Sequence, residues 1–412
     1  MRPGMSQPET GPANRVRILF PFIAGFTVGG SHISALKLVA GLDRTRFAPS
    51  ILLHDLDGNG PGRLGDYVSS LGLPFETLSG VGLMAPRHSR IPQTVSPPGY
   101  LLQTLPRLRR ILRDGAYDIV HTNDGRIHVN WGPAARLAGC RLVWHHREDP
   151  RGFGVNILAP ILANRIVTVS DFARPARPLL PVAGRTQVIH SPFEFAEPPD
   201  RAAARAALLT EIGADDDALL LGYFGSLVPR KKPLAFVHAV AETARALPGR
   251  DVRGLFFGAA ILPDKPLDRE AEALAERLGI GDRIHLMGFR RPIEGPMAAM
   301  DAKIVTAINE PFGRTLIEAM HLGVPVIATR HGGNIEAIDD GETGFLVPTD
   351  DPQAVARTVV GLVEHPERRA RVVAAARKDL AERYGAQRHI ARVSALYEEL
   401  VPASRGQVRA SG

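Results

Sequence analysis

The chain has 412 residues, more than one core of ordinary size holds, so two domains are expected. Its 44% hydrophobic and 23% charged content is that of an ordinary globular protein, and a single cysteine, Cys140, excludes an intramolecular disulfide and a cysteine zinc cluster and suits a reducing cytoplasm. Of the net charge of +7, residues 1–192 carry 22 Lys+Arg against 12 Asp+Glu and the rest 28 against 31, so the front half is expected to meet an anion: an acidic membrane face, a lipid phosphate or nucleic acid.

Residues 1–14 are polar and Pro/Gly-rich with no apolar h-region and read as a loose tail. No apolar run reaches the ~20 residues of a membrane span; Ile18–Val28 is interrupted by Pro21 and Gly25. Val16–Pro21 is a buried-strand pattern, and Gly29-Gly30 behind it would let a loop backbone approach a phosphate. The pair is not Gly-x-Gly-x-x-Gly, which argues against a dinucleotide cofactor. A helix Ser31–Gly41, a strand Ser50–Leu53 and a helix Gly62–Gly72 follow. Asp55-Leu-Asp57-Gly-Asn59-Gly60 mimics the start of a calcium loop, but Pro61, Arg63 and the missing closing Glu count against it.

After a strand at Pro74–Thr77, the stretch Ser79–Gly99, with Arg87, His88 and Arg90, is long for a connection and reads as an acceptor loop. Leu101, Leu105, Leu108 and Leu112 then share one helical face, with Arg107, Arg109, Arg110 and Arg113 on others. Such a helix either lies on an anionic membrane or turns its stripe into a core. Strands at Asp118–His121, Leu142–His145, Arg165–Val169 and Gln187–His190 complete the first series. Two of them end in polar groups, His121, Asn123 and Asp124 in one case, His146 and Arg147 in the other. His121 reads equally as a satisfied strand histidine, and Asp124 as a helix cap.

The Pro-rich stretch Ser191–Asp200 separates a second series: strands Leu219–Phe224, Gly254–Phe257, Arg283–Met287, Ala302–Thr306, Val324–Ala328 and Phe345–Val347, then three helical stretches after Asp351. Strands alternating with helices argue for α/β architecture, two Rossmann-like doubly wound domains at 15–195 and 196–385. Asp215-Asp216-Asp217 precedes a strand like a solvated turn, so no metal is expected there. Glu310-Pro311-Phe312-Gly313-Arg314-Thr315-Leu316-Ile317-Glu318 reads as strand end, turn and helix start. The N–H groups of such a turn face outward at a helix N-terminus, where an anion is favoured. Carboxylates on either side are placed to grip hydroxyls flanking a pyrophosphate.

This segment resembles the Glu-x7-Glu motif of retaining glycosyltransferases of family 4, which have the GT-B fold. Gly323-Val-Pro325-Val-Ile-Ala, Gly332-Gly333-Asn-Ile-Glu336 and Gly341-Glu-Thr-Gly344-Phe-Leu-Val-Pro348 follow in register. The resemblance is sharpest over about residues 219–350. It implies two domains facing across a cleft, a last helix within 386–412 crossing back to the first, donor binding on the second domain and acceptor binding on the first.

By that resemblance Glu318 holds ribose hydroxyls and Glu310 those of the transferred sugar. Phe312, Gly313, Arg314 and Thr315 offer backbone donors near sugar and phosphates, and Gly288 sets backbone against the base. Gly225-Ser226-Leu-Val-Pro-Arg230-Lys231-Lys232-Pro233 resembles the family's phosphate loop, with Lys231 on the family lysine. Ser226 stands where Arg is usual, leaving Arg230 or Lys232 to replace it. Asn123 stands where a second His is common. The resemblance implies a UDP- or GDP-sugar as co-substrate, no cofactor and no obligatory metal. It also implies retention of configuration, with Glu310, Lys231, Asp124 and His121 as catalytic candidates and Asn123, His146 and Arg147 for the acceptor.

The expected acceptor is a glycan or lipid-linked sugar, with the protein cytoplasmic or peripheral on the inner membrane face. Nucleic acid is not expected, because no recognition motif accompanies the charge. The rivals are another GT-B enzyme, such as an epimerase, and a non-catalytic nucleotide-sugar binder suggested by Ser226 and Asn123.

Overall fold

The computed structural model describes residues 15–25, 28–85, 94–195, 197–262 and 264–401. The expected tail 1–14, the end of the chain from 402 and the acceptor-loop residues Arg87, His88 and Arg90 lie outside them. The chain forms two compact units. The first takes the described residues up to Val169, Arg174–Pro192 and the chain from Ala386; the second takes Ser170–Ala173 and Phe193–Gly385.

In the first unit seven strands form one parallel sheet: β1 Val16–Ile23, β2 Phe47–Asp55, β3 Glu76–Ser79, β4 Ile119–Thr122, β5 Arg141–His146, β6 Arg165–Thr168 and β7 Thr186–Val188. Their order is β3-β2-β1-β4-β5-β6-β7. Both faces are covered, so a strand such as β1 must be apolar on both sides. Ile18, Phe20 and Phe22 point into one core and Leu19 into the other. The helix Ala386–Leu400 belongs to this unit, placing Val393, Leu396, Tyr397 and Leu400 in the core with Phe20 and Phe47.

The second unit repeats the plan with six parallel strands: β8 Leu219–Phe224, β9 Val252–Phe257, β10 Ile284–Gly288, β11 Ala302–Val305, β12 Val326–Thr329 and β13 Phe345–Val347. The order is β10-β9-β8-β11-β12-β13. In each sheet the order reverses once, between β1 and β4 and between β8 and β11. Loops beyond the carboxyl ends of such a pair splay apart, which is where open α/β sheets bind ligands. In the second unit the parting loops are those that carry Lys231 and Glu310.

One expectation is corrected. The leucine stripe is broken, with Leu108 and Leu112 buried but Leu101 59% exposed. A π-helical turn over Tyr100–Thr104 precedes the α-helix Leu105–Asp114 and adds a residue to the turn, rotating Leu101 off the stripe. Tyr100 takes the inward place, and its hydroxyl donates to the Asn130 carbonyl at 2.6 Å. Among the described residues no helix is long and apolar enough to cross a membrane.

Candidate functional site

At the edge of the second unit two loops are tied together. The Thr306 hydroxyl donates to the carbonyls of Lys231 (2.8 Å) and Lys232 (2.9 Å), and the Ile308 N–H to that of Arg230 (2.8 Å). Glycine is required here for a definite reason. Gly225 has φ +143°, and a Cβ on it would lie 2.5 Å from Lys231 Nζ, so the ammonium lies against bare backbone. Glu310 is gripped from two sides, with Arg230 Nη1 at 2.6 Å and Lys231 Nζ at 3.9 Å from Oε2. Burial lowers the Lys231 pKa, and Glu310 acts in the opposite sense.

The turn after Glu310 rests on the Gly332-Gly333 pair. Gly333 N–H donates to the Glu310 carbonyl at 2.8 Å. A Cβ on Gly332 (φ +64°) would stand 2.7 Å from that oxygen, and one on Gly333 2.4 Å from the Pro311 carbonyl. Phe312 is buried against Tyr384 and Phe193, so only its backbone is offered outward. The helix Arg314–His321 starts at Gly313 without a side-chain cap; the N–H groups of Arg314 and Leu316 donate to the carbonyls of Phe312 (3.1 Å) and Gly313 (3.0 Å), and a helix N-terminus of this kind favours an anion. Glu318 lies one turn along this helix, 3.7 Å from Arg314 Nη2, and the Thr315 hydroxyl donates to the Phe224 carbonyl at 3.5 Å. Gly288 ends β10 at φ +69°, where glycine is favoured, and its carbonyl accepts from Gly258 N–H at 2.9 Å.

Sequence reasoning missed two features of this edge. Glu336 accepts the N–H groups of Asp171 and Phe172, each at 2.7 Å, while the Ser170 hydroxyl donates to the Pro311 carbonyl at 2.5 Å. Segment 170–173 thus braces the Glu310 turn. The second is Lys303, 1% exposed inside β11. A lysine in an otherwise apolar strand was the available signal.

In the first unit the polar strand ends behave differently. His121 is fully buried and its two ring nitrogens are engaged, Nδ1 with the Tyr397 hydroxyl at 2.5 Å and Nε2 with His145 Nδ1 at 3.1 Å. Arg147 Nη2 also approaches His145 Nδ1, at 3.2 Å. A guanidinium only donates, so His145 Nδ1 is an acceptor, His121 Nε2 carries a proton, and Tyr397 donates to His121 Nδ1. His121 is therefore a core residue, which corrects its place among the catalytic candidates. Burial holds both rings well below the usual histidine pKa.

Asp124 caps the helix Gly125–Ala138, accepting from Ile127 N–H at 2.9 Å, and burial pushes its carboxyl up to about 6. Asn123 is buried; its Oδ1 lies 3.5 Å from Arg147 Nη2, and its Nδ2 has no hydrogen-bond partner. Arg147 also donates to the Ser191 hydroxyl at 3.1 Å. The His146 ring donates to the Asp149 carbonyl at 3.1 Å, and burial lowers its pKa to about 4, so it is neutral at pH 7.

Gly29 is extended at φ −88°, a conformation open to any residue, and its N–H donates to His32 Nδ1 at 3.1 Å at the head of the helix beginning at Gly30. Asp55 and Asp57 spend carboxylate oxygens on the N–H groups of Gly58 and Asn59, as turn residues do. Among the described residues no cluster of three or more His, Cys, Asp or Glu is arranged for a metal ion.

The family of glycosyl transferases group 1 matches residues 205–379. A D-inositol 3-phosphate glycosyltransferase of Streptomyces avermitilis is 32% identical over 331 residues, 72% of this chain and 68% of that one. That of Corynebacterium efficiens is 36% identical over 175 residues, 42% of this chain and 41% of that one, and that of Saccharomonospora viridis 33% identical over 59% and 55%. The chain thus spans about half the length of such relatives. Among solved structures, Anabaena Alr3699/HepE in complex with UDP and glucose superposes with a TM-score of 0.75 at 22% identity, over 93% of this chain and 100% of that one. Sucrose-phosphate synthase from Thermosynechococcus elongatus does so at 0.70 and 20%, over 94% and 100%. At such identities these two establish the fold, GT-B, while the Streptomyces relative reaches across both sheets, and the chain belongs to the glycosyl transferases group 1.

Proposed function

We propose that the chain is a retaining glycosyltransferase of family 4. It moves a sugar from a nucleotide-diphosphate sugar, a UDP-sugar first of all, to a hydroxyl of a glycan or lipid-linked acceptor in the synthesis of a surface polysaccharide or glycolipid. The observation that carries this is Glu310, held between Arg230 and Lys231 beside the uncapped helix start at Gly313. A carboxylate for sugar hydroxyls thus stands next to cations and N–H groups for a diphosphate. Arg230 takes the place left by Ser226. The HepE complex with UDP and glucose supports uridine as the base.

In the reaction the anomeric C–O bond breaks and charge gathers on the departing phosphate. Preorganised donors are most effective against such developing charge, and the helix N–H groups, Lys231 and Arg230 supply it without a metal ion. The acceptor hydroxyl attacks from the same face, and the departing phosphate takes its proton. No strong protein base is needed, which fits the burial of His121 and the asparagine at 123. Asn123, Asp124, His146 and Arg147 are assigned to the acceptor, and Gly29 and Gly30 to the approach of backbone to the donor phosphates.

The excess of basic residues in 1–192 suits a phosphorylated or lipid-phosphate acceptor at the inner membrane face, and the relatives named for D-inositol 3-phosphate point to a phosphorylated one. Calorimetric titration of UDP, GDP, ADP and dTDP, with and without Glu318→Ala, tests the donor reading. Selective binding weakened about tenfold or more by the substitution is expected, as for loss of a charged hydrogen bond of about 1.5–3 kcal/mol. Affinity that is indifferent to Glu318 would sink it. For the acceptor, equal turnover on soluble sugars with no retention on anionic liposomes would remove the membrane from the proposal.

A further inference from the structure

Lys303 stands second in β11, in register with Gly222 of β8 and Val326 of β12. Its Nζ has no hydrogen-bond partner and lies 4.8 Å above the Phe224 ring, which is itself stacked on Phe257 at 4.8 Å. An isolated buried ammonium costs several kcal/mol, and an aromatic face returns only a part of this. The neighbouring strand positions are Ala302 and Ile304, so an apolar residue would serve the core better.

The charged groups around Lys303 are those of the candidate site. Glu318 acts on it from the helix Arg314–His321, Lys231 from the loop after β8 and Glu310 from the loop after β11. Glu310 is already matched by Arg230 and Lys231, and Glu318 lies beside Arg314. Lys303 alone of these cations has no carboxylate within ion-pair distance among the described residues. Burial brings its pKa down to about 7.

We infer that Lys303 is a positioning residue of the donor site, adding its charge from the strand beneath to the charges of Arg230 and Lys231, and that a nucleoside diphosphate binds together with a proton taken up by the Lys303 amine. The inference rests on the donor reading above. The step is a simple protonation. The amine nitrogen accepts a proton from solvent as the diphosphate brings negative charge to the helix start, and the ammonium is held there by the field of phosphate and Glu318. The residue acts through space and through Glu318.

The test is calorimetry of UDP and GDP on the full chain at pH 8 and 9, above the phosphate's own titration near about 6. Running it in buffers of different ionisation enthalpy counts the protons. The wild type is expected to take up close to one proton and to lose affinity by up to about tenfold per pH unit. Lys303→Met should bind without proton uptake and with a flat pH profile, several-fold more weakly than the wild type at pH 7. Lys303→Arg, always charged, should keep affinity and lose the pH dependence. Should the Met variant not fold, the wild-type proton count and the Arg variant decide. Binding that depends on Glu318 but moves no proton, or the same slope in Lys303→Met, overturns the Lys303 inference alone. No binding, or binding indifferent to Glu318, overturns the donor reading and this inference with it.

Discussion

The two units use one architecture and finish their strand ends in opposite ways. At β4 and β5 of the first unit, polar side chains close on one another: Tyr397, His121, His145 and Arg147 form a row of hydrogen bonds. At β8 and β11 of the second, charges are tied only in part, with Glu310 shared by two cations, an uncapped helix start, and Lys303 buried without a hydrogen-bond partner. At the first edge His121 and Tyr397 tie the C-terminal helix to the sheet. The other leaves the buried Lys303 amine without a hydrogen-bond partner. A doubly wound sheet therefore offers a place for a site at its reversal point, and the side chains there decide between structure and chemistry.

The largest way to separate the units is acid. Burial lowers the pKa of His54 to about 3 and that of His146 to about 4, and those of His121, His128 and His145 also fall. A folded-state pKa below the unfolded 6.5 means that the unfolded chain binds more protons at lower pH. The stability is thus whole above pH 6.5 and is lost as pH falls through the folded values. In the second unit, His285 is the one histidine with a lowered pKa among the described residues. Both tryptophans are in the first unit. Trp131 donates to His54 Nε2 at 2.9 Å, and Trp144 stacks on His128 with centroids 4.1 Å apart. Their fluorescence should report loss of the first unit between about pH 6 and 4, ahead of loss of amide protection in the second. A tryptophan signal unchanged at pH 4 would defeat the comparison.

Substitution at the edge of the second unit comes next. Glu310→Ala strands Arg230 and Lys231 and removes the group proposed for the sugar. Turnover should fall about 10²–10³-fold, the scale of a lost preorganised contact, with nucleotide affinity changed far less. Glu318→Ala should show the reverse weighting. Equal effects of both on affinity would mean that the two carboxylates act as one charge cluster.

What the sequence made legible follows from range. Strands β8 and β13 have the expected bounds, because an apolar run between turn residues is a local signal. The glycines at 225, 332 and 333 were readable as motif for the same reason. What stayed hidden depends on distant partners. The ring of His121 is satisfied by Tyr397, 276 residues away, and no local pattern distinguishes that histidine from a catalytic one. Leu101 left its stripe through a π-helical turn, which a 3.6-residue period does not register. Lys303 is legible as a strand residue, but its burial beside the helix Arg314–His321 emerges only when β8, β11 and that helix are assembled.

The smallest effect is the most discriminating for the closed edge. Asp124 caps its helix through one oxygen, and burial, then Glu148, raises its pKa to about 6. A folded pKa above the unfolded 3.8 costs stability as pH rises through that window, and the cost is complete above pH 6. Asn caps as well as Asp and carries no charge. Asp124→Asn should therefore be more stable than the wild type at pH 7.5, on the order of 1 kcal/mol once partial exposure is allowed for, and equal to it near pH 4. Urea unfolding followed by tryptophan fluorescence at the two pH values measures this. If stability rises while turnover falls, the carboxylate is retained at a cost for its ligand, and Asp124 belongs with the acceptor. If both are unchanged, the residue is a cap, and the closed edge contributes Asn123 and Arg147 but not this carboxylate.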